Sequence, residues 1–223
     1  MTDGGDRRGW PSKTQFVYDW LKEEILSGSL TPGSRILQQE VAKTLGVSYT
    51  PVREAIRKLQ ATGLITYAPN RGSAVNSLSA DALRELYLLR GAVEGLGARL
   101  AAEKVTPTAL AELSDIHSQM VAVLDGDGDV DAAALASLSK SFHSLIVETG
   151  APLIVFPKAQ EIWTHYPVPR SQSLWASTDQ ARRSIAAHEQ ILDALISGDG
   201  ELAGQLMEGH IAESVQFRLR DGS

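Results

Sequence analysis

Residues 41–57 read VAKTLGVSYTPVREAIR, and this segment predicts the fold of the N-terminal part of the chain. Gly46 is the kind of residue that ends one helix and permits a tight turn. Thr50 as N-cap and Pro51 as first helical residue predict the start of a second helix. The side chains expected to pack the two helices together are apolar: Val41, Ala42, Leu45, Val47, Ala55, Ile56 and Leu59. The pattern predicts a helix-turn-helix.

The flanking sequence extends this unit on both sides. A helix is predicted over residues 13–27, with Gly28 at its end. On the other side, β-like runs at 64–67 and 73–76 surround the turn sequence PNRG at 69–72. Three helices followed by a β-hairpin make a winged helix-turn-helix. We therefore expect a DNA-binding domain over residues 13–78, preceded by a flexible tail at 1–12.

The charge distribution agrees with a nucleic-acid partner although the net charge is −6. Residues 1–78 hold ten basic and seven acidic side chains, whereas residues 79–223 hold eleven and twenty. A local basic surface is what phosphate binding requires. The alternative is a helical hairpin with a solvated basic face. The candidate DNA-binding residues lie at the second helix and the wing, with one on the first helix: Gln39, Ser48, Tyr49, Thr50, Arg53, Arg57, Arg71 and Gly72.

The segment LGVSYTPVREAI at 45–56 resembles the GntR family motif LGVSRTPVREAL. Leu59, Gly63, Leu64 and the PNRG turn continue the resemblance, which covers about residues 13–76. Tyr49 stands where the family usually has an arginine that reads a guanine. Tyrosine cannot make that bidentate contact, so the operator preference at this base should differ. Arg53 becomes the main candidate for direct base readout.

Residues 79–223 are predicted to form six helices with short connections, an antiparallel bundle. Ser79 caps the first of them, whose expected buried stripe is leucine-rich: Leu83, Leu86, Leu89, Val93, Leu96 and Leu100. Arg90 and Glu94, Phe142-His143 and His188-Glu189 stand in an order that resembles the FCD domain of the FadR-type branch of the same family. The resemblance implies an effector-binding and dimerisation domain.

Three histidines fall on apolar faces of three of these helices, at His143, His188 and His210. Three neutral imidazoles suit zinc, nickel or manganese, and the resemblance implies such a site. The family has a fourth ligand, an aspartate, where this chain has Ser139, so water or a carboxylate effector would complete the shell. The alternative is three hydrogen-bonded core histidines. His117 is expected at the surface.

The candidate effector-binding residues lie on three of the predicted helices and at their edges: Arg90, Ser139, Trp163 and His165. Arg90 could clamp a carboxylate bidentately. Its alternative is a salt bridge to Glu94, one helical turn later.

Together these features predict a ligand-responsive transcription regulator. A homodimer would bind a palindromic double-stranded operator as a repressor, and a small organic acid would release it. The alternatives are a regulator whose effector is the metal itself, or a three-histidine metalloenzyme. No HExxH motif, nucleophile elbow or phosphate loop favours an enzyme. A chain with no cysteine and no apolar run long enough for a membrane span is expected in the cytoplasm.

Overall fold

The computed structural model describes residues 12–68, 72–126, 130–165, 175 and 177–221. The chain divides into two compact units, residues 1–77 and 78–223. The predicted tail falls almost entirely outside the described residues; Ser12, its last residue, caps the first helix by accepting a hydrogen bond from the Gln15 amide. No described helix combines the length and apolar content needed to cross a bilayer.

The first unit contains three helices and a small sheet. Its helices are α1 (Lys13–Ser27), α2 (Gln38–Leu45) and α3 (Tyr49–Ala61). Its strands are β1 (Arg35–Ile36), β2 (Ile65–Ala68) and β3 (Gly72–Val75), antiparallel in the order β1-β3-β2. The predicted hairpin is β2 with β3. Strand β1 was not predicted, because two residues after the Pro32-Gly33 turn are too short for an alternating pattern.

The helix-turn-helix forms as the sequence predicted. Gly46 ends α2 with φ +62°, a left-handed conformation that favours glycine. The Val47 amide then donates to the Ala42 carbonyl at 3.1 Å, which closes the turn. The apolar side chains named above from α2, the turn and α3 belong to one core, which α1 and the sheet complete.

Helix α3 begins two residues earlier than predicted. Ser48, and not Thr50, occupies the N-cap position, and the first helical residue is Tyr49. Pro51 is the third helical residue. The first turn of a helix tolerates proline because its amides have no intrahelical acceptor. Tyr49 and Thr50 are therefore part of the helix and are exposed at its N-terminal end.

The second unit contains six helices within its described residues, in agreement with the predicted helical domain. They are α4 (Ala80–Ala102), α5 (Pro107–Leu124), α6 (Ala132–Gly150), α7 (Val155–His165), α8 (Thr178–Ile196) and α9 (Gly200–Asp221). Ser79, Thr106, Asp131 and Ser177 each accept an amide hydrogen bond as N-caps. Pro152 lies in a turn before α7, which begins at Val155.

Helix α4 buries a different face from the one predicted. The buried residues are mostly small, and they line its contact with α6 and α9: Tyr87, Gly91, Glu94, Gly95, Gly97, Ala98 and Ala101. Two leucines of the expected apolar face are exposed instead, Leu89 by 51% and Leu96 by 41%, and the neighbouring Leu88 is exposed by 70%. Close helix approach selected the glycines for the most buried positions, whereas Leu83 and Leu86 of the predicted stripe are only partly buried against the core.

Candidate metal centre and nucleic-acid interface

The three histidines meet in the interior of the second unit. Helices α6, α8 and α9 contribute His143, His188 and His210, and all are at most 7% exposed. The His143 and His188 Nε2 atoms are 3.1 Å apart, and those of His188 and His210 are 3.2 Å apart. One nitrogen of each ring therefore points toward a common centre.

Hydrogen bonds alone do not satisfy this arrangement. The His188 Nε2 atom lies between the other two Nε2 atoms, and a neutral imidazole nitrogen either donates one proton or accepts. If it donates to one neighbour, it has no lone pair for the other. Its Nδ1 atom is buried without a hydrogen-bond partner among the described residues. A cation would accept all three lone pairs, and tetrahedral zinc–nitrogen bonds place their ligands about 3.3 Å apart. The residues fit a divalent metal.

The protonation states favour ligation. Burial lowers the pKa of His188 well below its usual value, and its neighbours His210 and His143 lower it further. Burial and the nearby His143 lower the pKa of His210 to about 3. Both rings are therefore neutral at physiological pH, and neutral imidazole is the metal-binding form.

Glu94 is a central residue, although the sequence predicted it only as a partner of Arg90. It is 1% exposed in the middle of α4. Its Oε2 atom accepts from His143 Nδ1 at 2.7 Å, and its Oε1 atom accepts from Arg90 Nε at 2.9 Å and Trp163 Nε1 at 2.8 Å. Burial alone would raise the pKa of Glu94, but Arg90 and these hydrogen bonds lower it to about 2. The sequence feature that could have indicated this role is the helical spacing, which places Glu94 on the same face of α4 as Gly91 and Ala98.

The candidate effector residues are placed as follows. Arg90 makes the salt bridge to Glu94 that was the alternative to an effector clamp. Trp163 reaches the same carboxylate from α7. Ser139 is half-buried, one helical turn before His143. His165 is the last residue of α7, and its side chain lies outside the described part.

The expectation for His117 was wrong: it is half-buried, with its Nε2 atom 3.2 Å from the Ile185 carbonyl oxygen.

Six of the candidate DNA-binding residues are exposed on the first unit. The exposed ones are at the start of α2 and on α3: Gln39, Ser48, Tyr49, Thr50, Arg53 and Arg57. Gly72 begins β3 with φ +79°. Arg71 lies outside the described residues. The acidic Glu54 on α3 follows Arg53 directly in the sequence. Its carboxylate accepts a hydrogen bond from the hydroxyl of Thr14 on α1 at 2.8 Å.

Comparison with known proteins identifies both units. Residues 85–213 match the FCD domain, and residues 13–75 match the bacterial regulatory proteins of the gntR family. The chain belongs to the GntR family. It is 33% identical over 198 residues, 88% of this chain and 84% of the relative, to a probable D-xylose utilization operon transcriptional repressor from Paenarthrobacter nicotinovorans. It is also 28% identical over 213 residues to the repressor RspR from Escherichia coli, covering 94% and 91% of the two chains.

Solved structures of GntR regulators share the fold. Escherichia coli McbR/YncC superposes with a TM-score of 0.72 at 23% identity, covering 96% of this chain and 100% of the other. A putative GntR regulator from Rhodococcus sp. RHA1 gives a TM-score of 0.68 at 25% identity over 94% and 99%. Members of this family are ligand-responsive DNA-binding transcription regulators and not enzymes, so the metalloenzyme alternative is set aside for this GntR protein.

Proposed function

We propose that this GntR protein is a homodimeric repressor that leaves a palindromic operator when a small organic acid binds beside a metal ion in its FCD domain. The convergence of three buried Nε2 atoms carries this proposal. His143, His188 and His210 would hold zinc, nickel or manganese, which supplies a Lewis-acidic position for a carboxylate. We place the protein in the cytoplasm, where it reaches the chromosome.

The exposed end of α3 supports the proposed DNA contact. In a helix-turn-helix, the N-terminal residues of the second helix face the base edges in the major groove. Arg53 and Arg57 are exposed one turn apart on this helix. On this basis Arg53 would read a base edge and Arg57 would contact a phosphate, while Tyr49 would lie next to the bases. Gly72 and Arg71 would bring the wing toward the minor groove.

We expect Arg53→Ala to cost about 1–3 kcal/mol in specific binding, or roughly 5- to 150-fold in affinity. The operator is first selected from random duplexes, and the affinity is then measured by fluorescence anisotropy at fixed salt. Arg57→Ala should weaken binding to operator and scrambled duplex equally, because phosphates carry no sequence information. Arg84→Ala, exposed on α4, is the matched control. Unchanged operator affinity for Arg53→Ala would refute the assignment.

The exposed apolar face of α4 supports a dimer of this chain. Leu88, Leu89 and Leu96 expose a large part of their side chains on one helix. A groove of about 560 Å³ adjoins this face, between α4 and α7, and Leu78, Leu86 and Ile162 are among its lining residues. A palindromic operator needs two copies of the recognition helix, so a second copy of this chain is the proposed occupant of this face.

We expect Leu89→Glu to weaken dimerisation at least about 10-fold, because a charge would enter an apolar interface. Sedimentation equilibrium measures the monomer–dimer constant. Operator affinity should fall in parallel, since the half-sites would no longer be bound together. Ile196→Glu introduces the same charge at an exposed apolar residue on α8 and should have no effect. A Leu89→Glu protein with the dimer constant of the wild type would place the interface elsewhere.

Titration of the operator complex tests the proposed response. Protein stripped with a chelator is titrated with zinc, nickel or manganese, and then with a panel of small carboxylates, while operator binding is followed. Release by carboxylates only when the metal is present supports the proposed mechanism. Release by the metal alone would show that the ion is itself the effector. Release by carboxylates without any metal would contradict a metal-assisted site.

A further inference from the structure

The two oxygens of the Glu94 carboxylate have different partners from three helices. Its Oε1 atom accepts from Arg90 on the same helix and from Trp163 on α7, at 2.9 and 2.8 Å. Its Oε2 atom is left for His143 on α6, at 2.7 Å from Nδ1. Two donors on one oxygen fix the plane of the carboxylate. The second oxygen is thereby directed at the histidine ring.

This geometry determines which nitrogen of His143 carries the proton. An ionised carboxylate accepts hydrogen bonds and cannot donate them. A 2.7 Å contact with it therefore requires a proton on His143 Nδ1. In a neutral ring the Nε2 atom then carries a lone pair, and this atom lies 3.1 Å from His188 Nε2 at the centre of the histidine cluster.

We infer that Glu94 is a positioning residue for the metal centre: it holds His143 in the tautomer whose Nε2 atom can bind the ion. This inference rests on the proposed metal centre. The carboxylate touches no atom that would be bound to the metal and acts through His143. Partners of this kind fix ring orientation and raise ligand basicity, and their loss typically costs 10–100-fold in metal affinity. Ser139 in place of the family aspartate makes each remaining ligand more important.

The substitution Glu94→Gln tests the tautomer directly. Arg90 and Trp163 are both donors, so the glutamine oxygen should stay with them and its amide NH₂ should face His143. The Nδ1 atom must then accept, and the proton moves to Nε2. We expect zinc affinity, measured by competition with a chelating indicator, to fall about 10- to 100-fold. Glu148→Gln, an exposed acid on α6, should leave the affinity unchanged.

Nitrogen-15 NMR of the metal-free protein gives the decisive readout. The His143 ring should carry its proton on Nδ1 in the wild type and on Nε2 in Glu94→Gln. A residue that merely packs the helices would not invert the tautomer. A wild-type ring protonated on Nε2 overturns the inference without any variant, so poor folding of Glu94→Gln does not leave it untested. Unchanged zinc affinity in a folded Glu94→Gln protein also overturns it.

The two proposals fail in different ways. If the wild type binds no zinc, nickel or manganese, the metal centre is refuted, and so is the positioning role that depends on it. If the wild type binds an ion and Glu94→Gln binds it equally well, the metal centre stands and only the role of Glu94 is refuted.

Discussion

His210→Ala is expected to abolish stoichiometric metal binding. The wild type should retain about one zinc, nickel or manganese ion per chain after purification without a tag, and the variant should retain almost none. The reason is that His210 supplies one of the three nitrogen atoms that converge among the described residues. Loss of a supporting residue alone costs 10–100-fold in affinity. Removal of a ligand should therefore cost more than about 100-fold.

Thermal unfolding gives a second measurement of the same effect. A ligand present at 100 times its dissociation constant stabilises the folded state by about 2.7 kcal/mol. For a chain of this length, that corresponds to a rise of roughly 5–10 °C in Tm. The wild type should show this rise on addition of the ion, and His210→Ala should not. His210 is only 7% exposed, so its truncation also leaves a cavity that lowers the Tm of the metal-free variant. The two proteins are therefore compared by the change in Tm that the added ion causes in each.

His117→Ala is the matched control for this experiment. His117 is a half-buried histidine in the same unit, but its ring contacts the Ile185 carbonyl and does not join the cluster. The control should keep the ion and its effect on Tm. Equal metal content in wild type and His210→Ala would contradict the three-histidine centre. Loss of the ion from both His210→Ala and His117→Ala would also contradict the three-histidine centre.

The helix-turn-helix was predictable because its determinants are local. Gly46 ends α2 in a left-handed conformation, and that requirement is visible in the sequence. The apolar residues of α2 and α3 have only one side on which to pack, so their periodicity indicated the correct face. The start of α3 was misplaced by two residues because proline is tolerated at several positions of the first turn.

The packing of α4 was not predictable from periodicity. Helix α4 contacts both α6 and α9, and close approach at these contacts requires glycine and alanine. A hydrophobicity pattern gives such small residues little weight and favours the leucines, of which Leu89 and Leu96 are exposed. For the same reason Glu94 was missed as a central residue. Its role depends on His143 and Trp163, which lie 49 and 69 residues away in the sequence.

The contact between α4 and α6 leads to the second large prediction, for Gly150. The last residue of α6 lies directly against the backbone of α4. A Cβ atom at Gly150 would overlap the Gly97 carbonyl oxygen and would lie 2.7 Å from the Ala101 amide nitrogen. Both are main-chain atoms inside a helix, so no side-chain rotation can relieve the overlap. Lys104 also anchors the Gly150 carbonyl with a hydrogen bond at 2.5 Å.

We expect Gly150→Ala to destabilise the folded protein by about 1–3 kcal/mol or more, because α4 and α6 must move apart. Differential scanning calorimetry should show a Tm lower by roughly 2–12 °C. Gly209→Ala is the control: no atom lies within 4 Å of its added Cβ, and its site is within α9. Alanine there should stabilise the helix by about 0.5–1 kcal/mol. Equal effects of the two substitutions would contradict the close contact.

The same substitution should also weaken metal binding. Helices α4 and α6 carry Glu94 and His143, whose side chains are joined by a hydrogen bond of 2.7 Å. Separation of the two backbones at Gly150 would lengthen this bond, because both residues lie on the helices that are forced apart. We therefore expect Gly150→Ala to lower zinc affinity together with Tm, while Gly209→Ala lowers neither. A drop in Tm with unchanged zinc affinity would show that the helix end relaxes without moving the metal centre.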